Sequence, residues 1–549
     1  MALNIFAFGL ALLLALVLIP VLSAFARRCG LIDNPDKLRK LHNDSIPMVG
    51  GMTLILIVPL VGLLTIVAGF TYDSFFSGIT QSIAARLPFS FPVAELVFTE
   101  TDRLELLGLL FASILLFAVG AVDDRFNIRG RQKLLGQFLA ATILILTGYQ
   151  FEHLTLFGQR IEFGVLSGIV IYLWVLAAIN SVNLLDGADG IASTIGIIMS
   201  LAIAMMALYM GRIVDAVIAA ALAGTLLGFL RFNFPPAKAY LGDAGSMLIG
   251  LVLAALAIRC MFKFNTIYAF VAPLSLLAIP FIDTAAAIIR RRLTGRSIFA
   301  VDRGHLHHSL IKRGYSPRVS LLWVAMLTAT TAAGAFLSLV YRRPEFALTS
   351  IGIVLFVMIA CRIFGWAEYQ LVSTRARSFA SSFFRLGGTE ASHIIHNSVH
   401  VQGNRNWKEV WRLLFEFAEE HQLDQLTLDV NAPWLHESFH ATRRLSATKK
   451  RIEGSEWFVA FPLIVQQRVC GRVEIKGTVN EILSHHDVVR NLQKVLADIE
   501  YSLNEISIHQ ALKQANAHPD QLEHGVAKQA DARILHAAIA EEKRPTLPK

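Results

Sequence analysis

Five polar clusters interrupt an otherwise apolar chain, and their side chains are of kinds that bind phosphates, sugars and hard cations. Asp123 and Asp124 stand side by side at the end of an apolar run. Two neighbouring carboxylates beside lipid repel each other, and a divalent cation or a cationic partner offsets that cost. The plainer alternative is a solvated helix end paired with Arg125 and Lys133. Asn180, Asn183, Asp186 and Asp189 recur every third residue, a spacing that shares one helix face. Gly187 and Gly190 allow a sharp break there, or a close approach of backbone to ligand. Amides and carboxylates so placed suit sugar hydroxyls, a uracil ring or a metal. The alternative is a helix end running into an ordinary turn, since Asn, Asp and Gly are common turn residues.

Asn233 and Asp243 flank Pro235, Pro236 and Lys238. Asp243 opens the next apolar run. There it is either a capping acid at a helix N-terminus or a ligand for magnesium, which takes one or two carboxylates plus substrate phosphate. His305, His307 and His308 lie in a basic loop with Asp302 and Arg303. Their spacing does not supply the closed ligand set of a zinc site. Imidazoles beside arginines suit a diphosphate better, the alternative being a solvated loop. Asp283 falls inside an apolar stretch. An acid there is either functional or a partner for Arg290 or Arg291.

Membrane-spanning helices have to hold these clusters. A span needs about 20 mostly apolar residues. Eleven stretches qualify, at 3–23, 47–70, 104–122, 133–149, 163–181, 191–210, 213–230, 246–262, 266–289, 319–340 and 346–364. The first has no basic leader and no small-residue cleavage site, so it reads as an anchor. Lys and Arg concentrate after the first, third and ninth stretches, which marks those loops as cytoplasmic. Arg259 and Lys263 dissent, falling on the outer side. With that orientation the N-terminus is outside, the long tail inside, and all five clusters meet at the cytoplasmic rim. A water-soluble substrate can reach a lipid at such a rim, whereas a proton relay would place its acids mid-span.

Composition agrees. The 549 residues are 54 % apolar and only 17 % charged, and mean hydropathy is +0.54. Soluble globular chains carry about 25 % charged residues. The balance therefore excludes a soluble enzyme, a disordered chain and a nucleic-acid-binding protein, although 50 Lys and Arg against 41 Asp and Glu leave +9. Cys29, Cys260, Cys361 and Cys470 lie too far apart for a disulfide framework or a CxxC site.

In order and in kind, the five clusters resemble those of the polyprenyl-phosphate N-acetylhexosamine-1-phosphate transferases. The likeness covers about residues 1–365. Arg39-Lys40-Leu41-His42 with Pro47, Gly50 and Gly51, and the loop His305-Leu306-His307-His308, are similar to the branch that uses UDP-N-acetylglucosamine. The phospho-N-acetylmuramoyl-pentapeptide branch has three adjacent histidines, which this chain lacks. The resemblance implies transfer of N-acetylhexosamine-1-phosphate, above all N-acetylglucosamine-1-phosphate, from a UDP-sugar to undecaprenyl phosphate, with release of UMP. That step initiates lipid-linked cell-surface polysaccharides such as O-antigen. By the same resemblance Asp123, Asp124 and Lys133 are the catalytic positions, and Asp243 holds Mg2+, with Mn2+ the alternative ion. Asn183, Asp186, Asp189, Arg303, His305, His307 and His308 bind substrate. The setting implied is the bacterial inner membrane, with no nucleic-acid partner and with a homodimer left open. The rival classes are a transporter of a lipid or sugar conjugate, a pentapeptide-type enzyme and a membrane-anchored signalling protein.

The tail reads differently. Trp407, Val410, Trp411, Leu414 and Ala418 predict an amphipathic helix over 406–421. Leu426, Leu428 and Val430 alternate as a strand, and residues 457–475 read as a hairpin around Gln466–Arg468. A further helix covers about 484–508. His393, His396 and His400 lie at helical spacing without a completing ligand. The fold class expected is therefore mostly α: a polytopic membrane bundle of about eleven transmembrane helices over 1–365, followed by a small soluble α+β domain over 366–515 whose partner is unknown. A polar, disordered tail is expected over 516–549.

Overall fold

The computed structural model describes residues 1–33, 45–84, 99–151, 153–156, 159–260, 267–293, 304–361, 394–402, 407–421, 423–432, 437–445, 456–465, 468–478, 488–497 and 500. Arg39, Lys40, Leu41, His42, Asp302, Arg303, His393 and the expected tail 516–549 lie outside them. The chain divides into two compact units, Met1–Phe379 and Ala380–Lys549.

The first unit is helical: α1 (Ala2–Cys29), α2 (Gly50–Thr71), α3 (Asp73–Ala84), α4 (Glu100–Phe126), α5 (Gly130–Leu146), α6 (Leu166–Leu185), α7 (Ile191–Tyr209), α8 (Ile213–Asn233), α9 (Gly242–Cys260), α10 (Ile267–Leu276), α11 (Ala278–Leu293), α12 (Leu306–Lys312), α13 (Pro317–Val340) and α14 (Glu345–Ala360). Two short antiparallel pairs accompany them, β1 (Ile32–Asp33) with β2 (Ile46–Pro47) and β3 (His153–Leu156) with β4 (Gln159–Glu162). Helices satisfy every backbone group within the segment, which lipid demands.

Among the described residues, eight helices are long and apolar enough to cross a membrane. The number is nine when α10 and α11, bent by 71° at Leu277, count as one broken span. Eleven full spans are thus not found. All eleven expected places are helical, but α5 has 17 residues and α14 has 16, short of the roughly 20 that the hydrocarbon requires. The protein is a mostly helical, multi-pass membrane protein.

α9 is the axis of the unit. It is buried along almost its whole length against α2, α4, α6 and α7. At its last turn Arg259, 0 % exposed, meets Asp215 Oδ1 at 2.5 Å and Asp102 Oδ1 at 2.9 Å, and also pairs with Glu105. Arg212 closes the group on Asp215 (2.8 Å) and Asp102 (3.3 Å). Thr99 and Asp102 form the capping box that starts α4 here. The dissenting Arg259 is therefore no loop charge but half of a buried network, and it carries no orientation signal.

The second unit holds one antiparallel sheet of β5 (Ile394–Gln402), β6 (Gln425–Ala432), β7 (Glu437–Leu445), β8 (Glu456–Val465) and β9 (Arg468–Thr478), in the order β5-β7-β6-β9-β8. Helix α15 (Trp407–Glu420) lays Trp407, Trp411, Leu414 and Ala418 on it, as the spacing predicts. Val465 pairs with Arg468 across the expected hairpin turn. In the described part of the last helix, α16 (488–497), the buried stripe runs Val488, Leu492, Leu496. His396 and His400 sit on strand β5, so their helical spacing has no structural meaning.

Candidate functional site

The site is built on the N-terminus of α9, at the opposite end from Arg259. A helix start leaves backbone N–H groups without partners. Asp124, at the end of α4, fills that role: its Oδ1 accepts from Asp243 N at 2.7 Å and its Oδ2 from Ala244 N at 3.3 Å. The cap is thus Asp124, not Asp243. Gly242 turns the chain into the helix with φ 73°, a conformation that favours glycine, and a Cβ there would stand 2.6 Å from Asp124 Oδ2. Gly51 of α2 and Gly120 of α4 let both helices close onto Ala244. Tyr240 is clamped beside them, donating N–H to Pro47 O and accepting from Val49 N and Gly50 N.

Freed from capping, the Asp243 side chain is 37 % exposed. Its Oδ2 lies 2.8 Å from Lys133 Nζ, and its Oδ1 accepts from Asn183 Nδ2 at 2.5 Å. The same Asn183 amide donates to Ser246 Oγ at 2.9 Å. Lys133, in the first turn of α5, also reaches Asp123 Oδ2 at 2.6 Å. The other Asp123 oxygen accepts from Ile128 N at 3.0 Å and so ties down the turn between α4 and α5. Lys133 is the cation expected beside the aspartate pair. Arg125 is not: it donates to Cys29 O and Gly30 O.

The Asn180–Gly190 segment does not act as one face. α6 ends at Leu185, so only Asn180 and Asn183 are helical. Asn180 exchanges amide hydrogen bonds with Gln137 (2.7 and 3.3 Å). Asp189 accepts from Ala237 N at 2.9 Å. Asp186, at the helix end, faces like charges: burial first, then Asp243, Asp124 and Asp189, push its carboxyl well above the usual range. Tyr240 is pushed up to about 12 by burial and by Asp189 and Asp186. Asn233 is architectural, accepting from Gly190 N (3.0 Å) and Ser193 Oγ (2.9 Å) and donating to Ala239 O (2.9 Å).

The histidines arrive from the far side. His305 Nδ1 lies 2.6 Å from Asp283 Oδ2, and Leu306 N donates to Asp283 Oδ1 at 2.8 Å. Asp283 therefore serves the histidine loop through both oxygens, and neither is spent on Arg290 or Arg291. Arg290 packs its guanidinium over Gly304 at the start of the loop. The His307 ring lies between His305 and His308, with centroids 6.1 and 4.1 Å away. Its edge rests on Gly187, where a Cβ would come within 3.0 Å of Nε2. Burial and the two neighbouring imidazoles hold His307 well below the usual histidine range.

The structure thus brings together Asp123, Asp124, Lys133, Asn183, Asp243, the Asp186–Asp189 turn and His305 with His307. Gln137 and Ser246 belong to the same assembly without having been singled out in the sequence, and Asp283, which read as functional or as an arginine partner, joins them. For Gln137 the signal was a polar side chain inside an apolar helix. Among the described residues no three His, Cys, Asp or Glu side chains converge as a closed cage. Asp123 and Asp243 flank one ammonium, and carboxylates so placed suit a hard cation that draws its remaining ligands from phosphate.

Comparison with known proteins reaches the same place from another direction. Residues 106–261 match the glycosyl transferase family 4 profile. The chain is 28 % identical over 323 residues, 58 % of its length, to the probable undecaprenyl-phosphate N-acetylglucosaminyl 1-phosphate transferase of Bacillus subtilis, covering 81 % of that protein. It is 33 % identical over 279 residues, 47 % of its length, to decaprenyl-phosphate N-acetylglucosaminephosphotransferase of Mycobacterium tuberculosis, covering 69 % of it. It is 26 % identical over 315 residues, 56 % of its length, to undecaprenyl-phosphate alpha-N-acetylglucosaminyl 1-phosphate transferase of Escherichia coli K12, covering 76 % of it. The matched segment runs from α4 through α9 and so contains the aspartate pair, Lys133, the Asn183–Asp189 stretch and Asp243. The chain belongs to glycosyl transferase family 4, in the group of polyprenyl-phosphate N-acetylglucosamine-1-phosphate transferases.

Proposed function

We propose that this chain transfers N-acetylglucosamine-1-phosphate from UDP-N-acetylglucosamine to undecaprenyl phosphate at the cytoplasmic face of a bacterial inner membrane. The observation that carries the reading is Lys133, held 2.6 Å from Asp123 and 2.8 Å from Asp243 in the first turn of α5. An oxygen of the lipid phosphate attacks the sugar-bearing phosphorus. The bond from that phosphorus to the bridging oxygen breaks, and UMP leaves. A phosphate monoester has a second pKa near 6, so the acceptor is already anionic and needs no strong base.

That chemistry suits what the carboxylates do. Asp124 spends both oxygens on backbone N–H groups and fixes the start of α9. Asp123 fixes the α4–α5 turn and Lys133. Both act as orienting groups. Lys133 neutralises phosphate charge at a partly dehydrated place, where such stabilisation is strongest. Asn183 orients Asp243. Magnesium held by Asp243, with Asp123 alongside, would neutralise the diphosphate and make UMP a better leaving group. On this reading Asp186, Asp189, His305, His307 and His308 serve the nucleotide and sugar phosphate, and the resemblance assigns Arg303, outside the described residues, to the same task.

The test is UMP release by purified protein across a panel of UDP-sugars. Release should require both polyprenyl phosphate and magnesium and be fastest with UDP-N-acetylglucosamine. Absence of UMP across the panel, together with accumulation of a lipid conjugate in vesicles, would favour a transporter instead.

A further inference from the structure

Asp283 has no assigned role in the reaction, yet it is 1 % exposed and inside a broken span. Both of its oxygens are used on one short stretch of chain. Oδ2 lies in hydrogen-bond contact with His305 Nδ1, which donates to it when that nitrogen carries the ring hydrogen, and Oδ1 accepts from the backbone N–H of Leu306, the first residue of α12. The two contacts do separate things. The first fixes which ring nitrogen of His305 is committed, leaving Nε2 as the edge that can exchange a proton or hydrogen bond with a ligand. The second pins the backbone that leads to His307. His307 is 1 % exposed, and neither of its ring nitrogens has a hydrogen-bond partner among the described residues. A buried imidazole left unsatisfied is costly, so something has to hold it there. The Asp283 anchor on one side and the bare Gly187 backbone on the other form that clamp.

We propose that Asp283 is a positioning residue for the phosphate and sugar end of the substrate: it orients His305 and seats His307 against Gly187. The kinetic part of this proposal rests on the transfer reaction above, while the placement of the loop does not.

The experiment uses the full chain in detergent micelles, with D283N, G187A, H305Q and the D283N/H305Q double variant. Diethylpyrocarbonate labelling followed by mass spectrometry reads the clamp directly. Modification of His305 and His307 should be slow in the wild type and about tenfold faster in D283N, because a local anchor is lost. In G187A, His307 should label faster and His305 should not, a pattern that remains readable if D283N folds poorly. Unchanged labelling in both variants would overturn the clamp.

Kinetics then separates orientation from mere structure. D283N should lower kcat/KM by about 100-fold, the cost of misplacing a reacting contact by about 1 Å. The double variant should fall well short of the product of the two single losses, because part of what Asp283 does runs through the His305 ring. Losses that multiply in the double variant would overturn the positioning role. A wild type that transfers nothing would count against the transfer reaction, and the labelling rates would still decide the clamp.

Discussion

The two ends of α9 hold charge in opposite ways. At its last turn, Arg259 and Arg212 meet Asp102, Glu105 and Asp215 in a network buried around Arg259. At its first turn, about 24 Å away along 16 residues of helix, Asp243 is 37 % exposed and shares a single ammonium with Asp123, while Asp186 faces further carboxylates. At the first end each of these charges has an oppositely charged partner within the protein. The second gathers negative charge at an open rim, which is unfavourable until a cation and phosphates arrive. Charged residues in an apolar bundle can thus be sorted by whether their partners are complete.

That contrast can be broken in graded ways. D243N should have the largest effect, a loss of about 1,000-fold or more in kcat/KM, with a thermal midpoint in detergent close to that of the wild type. K133M should lower transfer by about 100-fold, measured as lipid-bound sugar formed per minute. R259M should invert the pattern, costing about 3–5 kcal/mol of stability by depriving Glu105 of its cation and leaving Asp102 and Asp215 to Arg212 alone, with near-normal kcat in the molecules that remain folded. Full stability in R259M, or a collapsed fold in D243N, would erase the distinction between the ends.

The smallest effect concerns pH. His307 is held below the usual imidazole pKa of about 6.5. As pH falls below that value the unfolded chain takes up a proton that the folded chain resists. Stability should therefore drop on acidification, by at most about 1.4 kcal/mol per pH unit for one proton. H307F should flatten that part of a denaturation-against-pH curve. An identical slope in both proteins would show that this ring is not held as described.

Much of this was legible in the chain, because apolar length and polar interruption are local properties. The places of the helices, the amphipathic helix at 407–420 and the β8–β9 hairpin follow from periodicity alone. What periodicity could not reach was partnership. Asp243 read equally well as a cap or a ligand, and only the approach of α4 shows that Asp124 does the capping. Arg259 looked like a loop charge because its three acids come from 44 to 157 residues away. The regular spacing of Asn180, Asn183, Asp186 and Asp189 suggested one face, but the helix stops at Leu185 and sends the last two into a turn. Span count is not reached for a related reason: α14 is apolar but short, and α5 is both short and polar in its first turn, with Arg131, Gln132 and Lys133.

The central claim is that the open end of α9 moves a sugar together with its phosphate. It is tested most directly with UDP-N-acetylglucosamine labelled with 32P at the sugar-bearing phosphorus, supplied with undecaprenyl phosphate and magnesium. Label is expected in the lipid fraction with the wild type, unlabelled UMP in the aqueous fraction, and neither with D243N. Label that stays in aqueous nucleotide, or a D243N protein that labels lipid as fast as the wild type, would contradict it.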